Sequence, residues 1–204
     1  DAIESVRVEA WPRPRHADEM HEALNGLAAL TDEEVARETG WNAWLAELAD
    51  AGRATRLLPA DGTGAGLWVA AERLSLARVL YSSASLQPAI EPPAEYAQGP
   101  STRDEALREL LQSRLGGLGP VSTRVLAQQL RLPEAKLETA LLGLQSEGVL
   151  LQGRFTPGTA EPEWCERHLL ARIHRYTLKR LRREIEPVEP RDFVRFLFEW
   201  QHVS

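Results

Sequence analysis

The sequence predicts a mainly helical chain with small β-hairpins, an α+β fold of two similar modules followed by helices. Three observations carry this expectation. Short amphipathic helices recur in the order helix, helix, helix, hairpin. That order appears twice, on either side of a proline-rich stretch from Ser82 to Thr102. A long proline- and glycine-free helical pattern then closes the chain. Three helices and a hairpin are the order of a winged helix, a helix-turn-helix with a β-hairpin wing. The expected division is therefore a first winged-helix-like module with an N-terminal extended segment over 1–81, a linker over 82–102, a second module over 103–162 and a helical extension over 163–204.

In the first block, Val6-Arg7-Val8 reads as extended and is followed by Trp11-Pro12-Arg13-Pro14. From Asp18 to Leu30, Met20, Ala23, Leu24, Leu27 and Leu30 recur at helical spacing. Thr31-Asp32-Glu33-Glu34 has the form of a capping box, in which the threonine side chain and the glutamate three residues on satisfy each other's free amides. Trp41 to Ala51 carries Trp44, Leu45 and Leu48 on one face. Ala54 to Pro59 and Leu67-Trp68-Val69 read as strands around the glycine-rich turn of residues 61–66. Ala70 to Tyr81 returns to helix.

Prolines 88, 92, 93 and 100 make the next stretch a connector. In the second block, Arg103 to Leu115 is a helix that Gly116-Gly117-Leu118-Gly119-Pro120 is expected to break. Ser122 is a candidate N-cap for a helix to Leu130. After the turn at Arg131-Leu132, Pro133 opens a helix with Leu137, Leu141, Leu142 and Leu144 on its apolar face. Val149 to Thr156 is the strand and Pro157 to Pro162 the wing tip. Trp164 to Ile185 is the long helix, ended by Pro187, and Arg191 to Trp200 the last, with Phe193, Phe196, Leu197 and Trp200 on one face.

The 204 residues are 43% hydrophobic and 26% charged, enough for a packed core and a soluble surface. No apolar run reaches the roughly 20 residues that a membrane helix needs. The single cysteine, Cys165, excludes an intrachain disulfide and fits a cytoplasmic protein in which it is a small buried hydrophobe. The N-terminus has no signal-peptide pattern and no methionine, which reads as a piece of a longer polypeptide. Net charge is −6, but Glu166 to Arg183 holds seven Arg or Lys and one Glu, leaving −12 on the remainder. Any phosphate contact must therefore be local.

His168, Arg172, Arg175, Lys179 and Arg182 step by four, three, four and three, which places them in one stripe on a helix. A cationic ridge of this kind can follow a phosphate backbone; it can equally be a solvated face packed on acidic neighbours. Leu170, Ile173, Thr177 and Leu181 form an adjacent, mostly apolar stripe. The third helix of each block is acidic instead, with Glu47 and Asp50 in the first and Glu134, Glu138 and Glu147 in the second, which argues against sequence-reading in a major groove. Trp68 follows the glycine-rich hairpin: as core it packs, and if exposed it offers a stacking surface to a base. The other tryptophans read as core. No phosphate-cradling Gly-x-x-x-x-Gly-Lys-Ser/Thr loop, no Gly-x-Ser-x-Gly elbow and no metal-binding spacing of His and Cys is found, so neither catalytic nor metal-ligating residues are assigned.

The segments Glu163-Trp164-Cys165-Glu166, Leu169 to Arg175, Lys179 to Val188, Asp192-Phe193 and Phe196 to Gln201, with Glu147-Gly148-Val149, Gly153 to Gly158 and Trp68 to Glu72, resemble the large-helicase-related (Lhr) family. The resemblance spans most of residues 16–204. It implies a C-terminal region of the core of an ATP-dependent superfamily 2 translocase of single-stranded DNA, acting in DNA repair. ATP and Mg would belong to motor domains elsewhere in the same polypeptide, and this region would hold no cofactor and be no enzyme by itself. Its partners would be single-stranded DNA or a tailed duplex and those motor domains, with no membrane and with self-association open. A family tryptophan that stacks on the tracking strand is matched to Trp68. The alternatives are a winged-helix scaffold for protein–protein contact and a DNA-glycosylase-like module, a fold relative whose motifs are absent here.

Overall fold

The computed structural model describes residues 2–59, 66–185 and 188–202. The fold class is the expected one, mainly helical with two small antiparallel sheets. The helices are α1 (Ala2–Ala10), α2 (Ala17–Leu27), α3 (Asp32–Arg37), α4 (Trp41–Asp50) and α5 (Leu74–Leu80), then α6 (Arg103–Leu118), α7 (Thr123–Leu130), α8 (Glu134–Ser146), α9 (Arg167–Glu184) and α10 (Pro190–Trp200). The strands are β1 (Leu30–Thr31), β2 (Ala54–Leu58), β3 (Leu67–Ala70), β4 (Ser85–Gln87), β5 (Val121–Ser122), β6 (Leu150–Gly153) and β7 (Glu163–Glu166).

The same order occurs twice. Helix, short strand, two helices and a hairpin run through α2, β1, α3, α4, β2 and β3, and again through α6, β5, α7, α8, β6 and β7. In each sheet the short first strand pairs with the last strand of the hairpin: β1 with β3, and β5 with β7. Caps set the helix starts as the sequence predicts. Thr31 and Glu34 form the reciprocal box at α3, and Ser122 accepts from the Val125 amide at α7. A second reciprocal box, Thr102 with Glu105, starts α6.

Both modules feed one core. Leu57, Leu67, Val69 and Leu74 of the first pack in one cluster with Leu107, Leu111, Leu141, Leu150 and Trp164 of the second. The first sheet separates this cluster from another made by α2 and α4, with Met20, Leu24, Trp41, Leu45 and Leu48. Alternation along the strands does this: Leu57, Leu67 and Val69 face one cluster, Ala54 and Ala70 the other. A third cluster joins α1 to α9 through Ile3, Val6, Cys165, Leu169 and Ile173. Cys165 is fully buried, as expected.

Several expected elements differ. Val6-Arg7-Val8 lies in α1, not in an extended segment. The β-branched pair suggested a strand, but Ile3 and Val6 are three apart and bury one helical face against α9. Gly116 and Gly117 do not break α6, which runs on to Leu118 and ends at Gly119 with φ 70°. At Gly117 a Cβ would sit 2.5 Å from Leu27 Cδ2, so the glycine is what lets α2 and α6 approach. The long helix begins at Arg167 because residues 163–166 pair on both sides with β5 and β6. Leu142 is exposed rather than on the buried face of α8, and Trp200 is 69% exposed rather than core. The proline-rich stretch contributes an edge strand, β4, beside β2. The turn expected over 61–66, Gly66 excepted, and Pro187 lie outside the described residues.

Candidate nucleic-acid interface

Glu166 caps α9 by accepting from the Leu169 amide, so the helix starts at the end of β7 with its direction fixed by the second sheet. Leu169 and Ile173 are buried against α1, while Leu170 and Thr177 are half-buried. Leu181, assigned to the apolar stripe, is exposed, as is Leu178. The first half of α9 is therefore anchored and the second half bare.

One member of the cationic stripe is engaged. His168, Arg175, Lys179 and Arg182 are exposed, whereas Arg172 is half-buried and donates to Glu9 Oε2 at 2.5 Å. Tyr176 donates its hydroxyl to the same carboxylate at 2.9 Å. Hydrogen bonds from Tyr176 and then Arg172 hold the Glu9 carboxyl below the usual carboxylate range. Among the described residues Arg175, Lys179 and Arg182 make no ion pair, although Arg180 pairs with Glu184 at 3.3 Å. Glu9 was not legible as a neighbour of the stripe, because α1 did not read as a helix.

Trp68 is the central residue of a cross-strand row: Leu30 on β1, Trp68 on β3, Arg56 and then Gln87 on β2 and β4. Its indole is half-buried and packs on the α2–α4 cluster, with Trp11 and Trp44 also at that cluster's margin. Arg56 is its direct cross-strand partner. Arg56 is engaged by Asp32, which also accepts the Gly66 amide. Gly66 is required there, since a Cβ would lie 2.8 Å from both the Arg56 side chain and the Leu57 carbonyl oxygen. Arg56 could have been found by aligning Ala54-Thr55-Arg56-Leu57 against Leu67-Trp68-Val69-Ala70 as an antiparallel hairpin.

Trp68 and the α9 stripe belong to different clusters, and the segment that links those clusters is α1 with Trp11. The acidic third helices are as expected: Glu47, Asp50, Glu134, Glu138 and Glu147 are all exposed. Among the described residues no three His, Cys, Asp or Glu side chains are grouped to hold a metal ion. No described helix is long and apolar enough to cross a membrane.

The chain thus repeats one order of helices and hairpin and ends in a basic helix whose distal half is bare. The chain is 29% identical over 193 residues to the Lhr helicase/probable uracil glycosylase of Mycolicibacterium smegmatis. The match covers 93% of this chain and 12% of that protein, so the chain spans about an eighth of the relative's length. The resemblance to Lhr read from the sequence motifs is thereby borne out. No family model matches the chain.

Proposed function

We propose that this chain is a DNA-contacting accessory region of an Lhr-like, ATP-dependent helicase, built from two winged helices and acting on single-stranded DNA during repair. The observation that carries this reading is the bare distal half of α9, with Arg175, Lys179 and Arg182 exposed and unpaired among the described residues. On a chain of net charge −6, such a concentration of unneutralised cations favours a polyanionic partner. His168 extends the ridge toward the second sheet, Arg172 joins it only where phosphate displaces Glu9, and Trp68 supplies a stacking surface elsewhere on the chain. ATP hydrolysis, with its Mg, is assigned to motor domains of the same polypeptide, and the protein is taken to be cytoplasmic.

The test is fluorescence-anisotropy binding of labelled single-stranded DNA at several salt concentrations. Changing Arg175, Lys179 and Arg182 to Ala should weaken binding and flatten the log–log salt dependence by about 2, at about 0.7 for each phosphate that is no longer neutralised. Trp68→Ala should weaken binding with no change in that slope. An unchanged slope in the triple variant rules out α9 as the phosphate-binding element.

A second reading, a docking scaffold, is favoured by α10. Phe193, Phe196, Phe198 and Trp200 are each more than half exposed, and none of the helix is buried. Sedimentation at increasing concentration separates the two, because apolar self-association survives salt that abolishes phosphate binding. The relative's name also couples a helicase to a probable uracil glycosylase. Incubation with uracil-containing DNA, followed by strand scission at abasic sites, tests whether any such activity extends to this chain.

A further inference from the structure

Between α1 and the turn joining α3 to α4 lies a cleft of about 560 Å³, within the range of small-molecule sites. Its lining includes Trp11, Trp41, Arg7, Arg13, Glu4 and Glu38. Trp11 and Trp41 are stacked, 5.9 Å apart and 15° from parallel. The guanidinium of Arg114 lies 5.7 Å from the Trp11 ring centroid and is itself wholly buried, donating to the Ala29 carbonyl at 2.9 Å and to Glu34. The aromatic pair is thus braced from within the core and costs little to order when something packs on it.

The backbone that carries the cation is stiff. Arg13 stands between Pro12 and Pro14, whose rings fix the backbone on either side. It is exposed and makes no hydrogen bond or ion pair among the described residues. Arg7, by contrast, is engaged: it donates to the Pro120 carbonyl at 2.7 Å and lies 4.0 Å from Glu4. A half-buried indole backed by the core, acceptor carboxylates at Glu4 and Glu38 and a guanidinium that makes no hydrogen bond or ion pair among the described residues, with only a weak coulombic pull on Glu9, together match a nucleobase carrying a phosphate.

We propose that this cleft binds one nucleotide, the base packed against Trp11, which the buried Trp41 backs, and the phosphate on Arg13. The proposal rests on the reading of the chain as a handler of single-stranded DNA, but it uses none of the α9 residues. The nucleotide is either one unit of a strand or free in solution.

Calorimetric titration of the 204-residue chain with dAMP, and separately with a short oligo-dA, tests it. Both are repeated on Arg13→Glu and on the α9 triple variant. If the source is free nucleotide, dAMP binds, Arg13→Glu weakens it by at least about tenfold, and the α9 variant does not. If the source is a strand, dAMP gives no heat, yet Arg13→Glu still weakens oligo-dA by that factor. Arg13 is exposed but acts electrostatically on Glu9, so an unchanged thermal midpoint in Arg13→Glu is required to separate loss of the phosphate contact from loosening of α1 on α9. Binding of dAMP with none of oligo-dA would remove the α9 reading and leave the cleft. Affinities for both ligands that do not change in Arg13→Glu overturn the proposal.

Discussion

Glu9 on α1 accepts hydrogen bonds from both Tyr176 and Arg172 of α9, at 2.9 and 2.5 Å, across more than 160 residues of sequence. These bonds fasten the first helix to the basic one and take one cation out of the stripe. Because the folded-state carboxyl is held below its ordinary range, its contribution to stability is present above that range and is lost as pH falls through the folded pKa. Denaturation midpoints of the wild type and Glu9→Ala should differ at neutral pH and converge as the solution is acidified below the carboxylate range. Midpoints that stay equally far apart at all pH values would show that the carboxylate charge is not what fastens the helices.

Arg114 is a fully buried cation whose partner, Glu34, also closes the capping box of α3. Burial alone pulls the Arg114 pKa down, and Glu34 offsets this. Replacing Arg114 by Leu strands the Glu34 carboxylate in the interior and should cost about 3–5 kcal/mol in urea denaturation. The double variant Arg114→Leu, Glu34→Gln should recover part of that loss.

Adjacent glycines of α6 should respond in opposite directions. A Cβ at Gly116 meets nothing within 4 Å, so Gly116→Ala should stabilise the helix by up to about 1 kcal/mol. At Gly117 the same change drives a methyl group into Leu27 and should destabilise by about 1–3 kcal/mol. Thermal melts of the two single variants check both signs at once.

Burial, reinforced by Glu166 and Glu163, pushes the Cys165 thiol up to about 12. The native protein should therefore be inert to Ellman's reagent at pH 8 and release one equivalent of thionitrobenzoate only on unfolding. Rapid labelling of the folded chain would place the thiol at the surface.

The repeated order of elements was legible because each helix start carries its own chemistry: the box at Thr31, the cap at Ser122, the proline at 133. The stripe from His168 to Arg182 was legible because it depends only on helical spacing. What sequence could not supply were features set by distant partners. Val6-Arg7-Val8 has the local pattern of a strand, and only the apolar face of α9 makes it helical. Trp164 continues a helical pattern forward, yet pairing with Val121 and Gln152 holds it in a strand. The pairing of Arg172 with Glu9, the cross-strand pairing of Arg56 with Trp68 and the bracing of Trp11 by Arg114 all need the fold first.

The core shared by Leu57, Leu74, Leu111 and Leu150 also has a mechanical consequence. Two beads on a string would let one module swing while the other stayed still. Here the common interior holds them together, so neither module can swing away without exposing that shared apolar surface. A cut in the proline-rich stretch would nick the chain without parting the modules.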